Sequence, residues 1–156
     1  LARAASAGKT EAKRAVSREY TISSGDFLRY TYNINHTVAS RGSVLAVVFG
    51  FEGYPIPLMH FQMGVDSEGQ PVAHVKRSNA PEALRHAFRQ TINGHYGIYE
   101  RVGADRLPIQ QLYGPATTQM MYSNEAVLDS IEEKMAETYE KRIDHEILRI
   151  LNGWGV

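Results

Sequence analysis

The sequence predicts an α+β fold: an antiparallel β-sheet with an N-terminal helix and a long C-terminal helix packed on it. Three observations carry this. Asn93-Gly94 sits between two extended runs, and a type I′ hairpin turn needs positive φ at both of its central positions. A second pair of extended runs flanks Ser40-Arg41-Gly42-Ser43. From Asn124 to Leu151, apolar residues recur at steps of three and four, the period of a helix with one apolar stripe.

Residues 2–20 read as the first helix. Alanines at 2, 4, 5, 7, 12 and 15 favour it, and only Gly8 interrupts, at a cost of about 1 kcal/mol relative to alanine. Ala5, Ala12, Val16 and Tyr20 fall near one face, with Arg3, Lys9, Lys13, Arg14 and Arg18 opposite. Ser23-Ser24-Gly25-Asp26 starts a short second helix with Ser24 as its N-cap. The period then changes to two. Tyr32, Ile34 and His36 alternate with asparagines in a strand over 31–36, and the more apolar run 44–51 suits a central strand. Residues 52–63 hold Gly53, Pro55 and Pro57 and therefore read as a loop or a sheet edge. This loop is apolar (Tyr54, Ile56, Leu58, Met59, Phe61), so it either covers the core or meets a partner. Ser67–Gln70 is a turn, 71–76 a strand, and 81–86 a helical piece opened by Pro81. Strands 88–92 and 95–101 flank Asn93-Gly94, and the closing helix spans 124–151.

At 156 residues the chain fits one domain able to bury a real core. Lys plus Arg equals Asp plus Glu, 17 each, so no net field argues for nucleic acid or a membrane surface. Without cysteine there are no disulfides and no thiolate chemistry. Neither an apolar run of transmembrane length nor a signal-peptide core is present. The numbering opens at Leu1 rather than Met, so a short leader is expected ahead of it. Nine tyrosines suit surfaces half buried against partners, although a sheet face uses them equally well.

No motif predicts catalysis, a metal or a cofactor. The histidines at 36, 60, 74, 86, 95 and 145 are spread singly. His145-Glu146-Ile147-Leu148-Arg149 begins like a metalloprotease signature but carries arginine where the second histidine must stand. Gly94-His95-Tyr96-Gly97 follows a hairpin turn, the wrong context for a dinucleotide fingerprint. Glu132 and Glu133 are adjacent on a helix and point apart. Two alternatives stay open: a nucleic-acid-binding module using the basic first helix, and a small hydrolase whose site is assembled only by the fold.

The run Arg101-Val102-Gly103-Ala104-Asp105-Arg106-Leu107-Pro108-Ile109-Gln110-Gln111-Leu112-Tyr113-Gly114-Pro115 resembles a motif of the phage and prophage minor tail protein Z family, R-x-G-x-x-R-L-P-I-x-x-L-Y-G-P. Other words are similar in the same order. They are Arg18 to Asp26, Pro57-Leu58-Met59-His60-Phe61, the hairpin from Ala87-Phe88 through Gly94-His95 to Arg101, and Asp144 to Arg149. Ala116 stands where the family more often has serine.

The resemblance implies a structural virion protein of a long-tailed phage or prophage. It would complete the head-proximal end of the tail and prepare it for head–tail joining, after synthesis in the bacterial cytoplasm. The implied partners are other copies of itself in a hexameric ring, the tail tube, and tail terminator or neck proteins. The tape measure protein is a further possible neighbour, DNA passing through the lumen is possible but not specific, and no membrane is involved. The candidate interface is Tyr54, Ile56, Leu58 and Phe61 from the apolar loop, with Leu107, Ile109, Leu112 and Tyr113 from the motif. Arg101 and Arg106 would anchor it by bidentate carboxylate contacts. The competing reading of this motif is a tight crossover, with Gly103 turning the chain and Gly114-Pro115 breaking it before the helix.

Overall fold

The structure, a computed structural model, describes residues 2–41 and 44–153, and the side chains among these except those of 33–49. The class is α+β, with helices at both ends and antiparallel strands between them. Helix α1 is Ala2–Glu19 and α2 is Ser24–Tyr30. Strands β1 (Thr31–Arg41) and β2 (Val44–Gly53) lead to β3 (Pro55–Pro57), a 3-10 turn at Leu58–His60, and β4 (Gln62–Val65). Then come β5 (Pro71–His74), β6 (Glu82–Ala83), β7 (Ala87–Ile92), β8 (His95–Arg101), β9 (Ile109–Gln111) and β10 (Tyr113–Ala116). Helices α3 (Thr117–Tyr122) and α4 (Glu125–Leu151) close the chain.

The strands divide among four small sheets, ordered β1-β2, β10-β3, β4-β5-β6 and β7-β8-β9. Strand β2 therefore belongs to a two-stranded hairpin and is not central: among the described residues it pairs with β1 alone. Tyr32, expected on a buried face, is 37% exposed, while Ile34 and His36 lie outside the described residues. The Asn93-Gly94 turn forms as expected, with φ of 52° and 80° joining β7 to β8. Residues 81–86 are not helical. Leu84 N–H donates to the Pro71 carbonyl, and Val72 and Ala73 pair with Ala83 and Glu82. The open edge of β5 takes the backbone groups that a helical turn would have satisfied internally. The cap of α2 falls one residue early. Ser23, at φ −72° and ψ 151°, accepts from Asp26 N–H through its Oγ, so Ser24 is already inside the helix.

Helix α4 lies along α1. The small side of α1, with Ala4, Ala5, Gly8, Ala12 and Ala15 buried, lets the two backbones approach closely. Gly8 thus serves packing where its propensity counted against the helix. A polar clasp fixes the pair. Arg18 donates to Glu11 at 2.6 Å and to Ser130 at 2.7 Å, and Ser130 Oγ donates to Glu11 at 3.0 Å. The buried Glu11 carboxylate is in this way both paired and hydrogen-bonded, as a buried charge must be. Around it the core joins Val16, Ile22, Phe27, Ile56, Leu58 and Phe61 to Met120, Met121, Val127 and Ile131.

Candidate functional site

The apolar loop that was expected either to cover the core or to meet a partner divides between core and surface, residue by residue. Ile56, Leu58 and Phe61 are buried in the core and are withdrawn from the interface. The cause is local. Strand β3 pairs with β10, Tyr113 opposite Pro57 and Ala116 opposite Pro55, and Leu58 N–H donates to the Leu112 carbonyl. Within β3, Ile56 turns inward between the more exposed Pro55 and Pro57, and Tyr54, one residue before the strand, is 67% exposed. Tyr54 meets Tyr32 with ring centroids 5.0 Å apart. Partial burial of Tyr32, its hydrogen bond to Tyr54 and the negative potential of Tyr54 and Glu52 push its hydroxyl up to about 12.

The motif from Arg101 to Tyr113 splits in the same way. Leu112 packs against the core and Ile109 is half-buried on β9, whereas Leu107 and Tyr113 stand exposed. The loop between β8 and β9 is clamped by Val102 N–H donating to the Pro108 carbonyl at 3.0 Å. Gly114 sits against Phe61, so close that a Cβ there would lie 2.5 Å from the ring. Tight packing and an outward surface are therefore both properties of this one run.

Beside the motif lies an open cleft of about 700 Å³, lined by Arg85, His86, Phe88, Glu100, Arg101 and Val102 among others. The Arg101 guanidinium lies 5.6 Å from the Phe88 ring centre, in cation–π range. Glu100 is occupied by Gln110, which donates to it at 2.6 Å. Among the described residues neither Arg85, Arg101 nor Arg106 has a carboxylate partner. These guanidinium groups face outward. Arg85 and Phe88 were missed by sequence reasoning. Only the pairing of β7 with β8, which sets Phe88 opposite Tyr99 and Ala87 opposite Glu100, brings them beside Arg101.

The second unexpected surface is the distal half of α4. Val127 and Ile131 are buried, but Ile143, Ile147, Leu148, Ile150 and Leu151 are exposed, from 38% at Ile143 to 75% at Leu151. The single apolar stripe of the sequence therefore winds. A step of four residues advances about 40° beyond a full turn, so Ile147 lies about 160° around the helix from Ile131. Near the centre, Glu137 accepts from Lys134 at 2.6 Å and from Lys141 at 2.5 Å. The two hydrogen bonds hold its carboxyl down at about 2.

One constellation has the look of a relay. Tyr30 Oη lies 2.9 Å from His60 Nε2, and His60 Nδ1 lies 3.1 Å from Asp26 Oδ1. His60 thus bridges the Tyr30 hydroxyl on Nε2 and the Asp26 carboxylate on Nδ1. The histidine–carboxylate pair that a hydrolase would need is therefore present. It ties α2 to the 3-10 turn, Tyr30 and His60 are in edge contact, and none of the three residues lines the 700 Å³ cleft. Its evident effect is to dock α2. Among the described residues no group of three or more His, Asp or Glu side chains could hold a metal ion, and no helix is long and apolar enough to cross a membrane.

No protein-family model, curated protein or solved structure matches this chain.

Proposed function

We propose that this chain is a structural protein of a long-tailed phage or prophage, one that completes the head-proximal end of the tail before the head is joined. The single observation that carries the proposal is the ordered set of minor-tail-protein-Z-like words, above all the run from Arg101 to Pro115. The distribution of surface supports an assembly role. Leu107 and Tyr113 of that run are exposed, as are Tyr54 and the distal apolar stripe of α4. Of these, the α4 stripe is one run of neighbouring apolar side chains, and an exposed apolar patch marks contact with other proteins. In the tail those would be further copies of the chain, in a closed ring, and the tail tube or neck proteins beside it.

The test is a phage with a nonsense mutation in this gene, examined by electron microscopy and plaque titre. Heads and tails of normal appearance that join poorly, or deliver DNA poorly, are expected. Tails of grossly altered length would replace the proposal with a length-control role. Normal yields of infectious particles would overturn it and reopen the hydrolase reading, for which the Asp26–His60 pair would be the first residues to mutate.

A further inference from the structure

Among the described residues two surfaces lack an internal partner, and they are opposite in character. The cleft presents Arg85 and Arg101 around the half-buried face of Phe88, with Val102 at its edge. On the loop that continues from Val102, Leu107 is 67% exposed. The distal stripe of α4 presents Ile143, Ile147 and Ile150, with Glu140 and Asp144 along one edge and Arg142 and Glu146 along the other. Neither Glu140 nor Asp144 has a cationic partner among the described residues. The same acidic face runs back along the helix through Glu133 and Asp129, which are likewise exposed and unpaired among the described residues.

We infer that these two surfaces bind each other between copies: the distal stripe of α4 in one chain seats in the Arg85–Arg101 cleft of the next, head to tail. Three physical points support it. Arg101 is held by the Phe88 ring, so its guanidinium edge is oriented for a carboxylate with little further loss of freedom. The Glu140–Asp144 edge is complementary in sign to Arg85 and Arg101, which favours this docking over an antiparallel pairing of two stripes, since that isologous contact would bring the same acidic edge onto itself. Finally, the stripe lies well around the helix from the side that packs on α1, so seating it in another copy leaves the α1–α4 pairing intact. A head-to-tail contact generates a ring if its rotation closes and a filament if it does not. The inference rests on the self-association in the proposed function and supplies the two faces that would make it.

Charge exchange in the purified chain tests it, read by sedimentation velocity at physiological salt. The native chain assembles beyond the monomer. Arg85→Glu/Arg101→Glu and Glu140→Lys/Asp144→Lys each weaken assembly at least about tenfold, because each places like charges across the contact. Mixing the two variants restores it, as does carrying all four substitutions in one chain, which also shows that the variants fold. A native chain that stays monomeric at every concentration overturns the inference. So does a cleft variant that assembles like the native chain, which would point to stripe-on-stripe pairing. If the native chain assembles and neither variant changes that, this contact is wrong while the tail proposal stands on the nonsense-mutant result.

Discussion

Individual residues decide more here by closeness than by chemistry. A Cβ on Gly53 would lie 2.5 Å from Thr117 Oγ1 and 2.7 Å from the Tyr30 carbonyl oxygen. The carbonyl belongs to the backbone and cannot rotate away. Gly53→Ala is therefore expected to destabilise the fold by about 1–3 kcal/mol, the usual cost of overpacking. Gly64, where a Cβ meets nothing within 4 Å, is the control, and Gly64→Ala should leave the thermal midpoint nearly unchanged. Equal midpoints for both variants would show that the contact at Gly53 relaxes without cost. Two titrations belong to this scale as well. The carboxyl of Glu137 is lowered from 4.5 to about 2 by Lys134 and Lys141. A lowered folded value means its stabilising contribution is complete above about 4.5 and is lost as pH falls toward 2. In an NMR titration Lys141→Ala should raise the Glu137 midpoint, and an unchanged midpoint would remove the two-lysine account. Tyr32 behaves oppositely: with its folded value raised from 10.0 to about 12, its contribution is complete below 10 and is lost as pH rises toward 12.

At the scale of elements, α4 is two helices in one. Its first half is a core helix, with Val127 and Ile131 buried against the rest of the molecule. Its last three turns, residues 141–151, are exposed throughout. Ile131→Asp would bury an unpaired carboxylate, at a cost of several kcal/mol, and should unfold the domain. Glu133→Ala, on the exposed side, should not. Ile147→Asp separates the two halves: in dilute solution it should leave the monomer's thermal midpoint within a few degrees of native, since Ile147 is already 49% exposed. A loss as large as that of Ile131→Asp would mean that the distal stripe has an intramolecular partner. The small sheets follow a related logic. Pro55 and Pro57 cannot donate to a ladder, which suits β3 to a two-stranded pairing and not to the middle of a wide sheet.

For the whole molecule, charge balance conceals charge placement. The 17 cations and 17 anions cancel in sum, yet α4 carries the carboxylates that are unpaired among the described residues along one face while Arg85 and Arg101 share a cleft. If these surfaces meet between copies, stability becomes a function of protein concentration. The thermal midpoint of the native chain should then rise with concentration at low salt. That rise should shrink at 1 M salt, where the screening length falls to about 3 Å, and should vanish in Arg85→Glu/Arg101→Glu. A midpoint independent of concentration in all three conditions would argue for a monomer. On the tail proposal, Tyr113→Asp, at an exposed site on β10, should reduce head–tail joining more mildly than a nonsense mutation.

Local pattern by itself determined the elements whose cause is local. The Asn93-Gly94 hairpin, the alanine-rich first helix and the long last helix need only turn chemistry, propensity and period, and all three were legible. The class α+β follows from them. Tertiary structure alone decided which apolar residues are interior. Ile56 and Tyr54 sit two positions apart in one apolar loop, yet Ile56, held in β3 by its pairing with β10, is in the core, whereas Tyr54, just before the strand, is outside. Ile131 and Ile147 are alike in period, but α1 covers one side of α4, and a stripe advancing in fours turns away from that side. Residues 81–86 lost their helix to the free edge of β5, a partner that no local window contains. Arg101 was legible as a candidate, whereas Arg85 and Phe88 were not, because a cleft is assembled from strands that only the sheet register sets side by side.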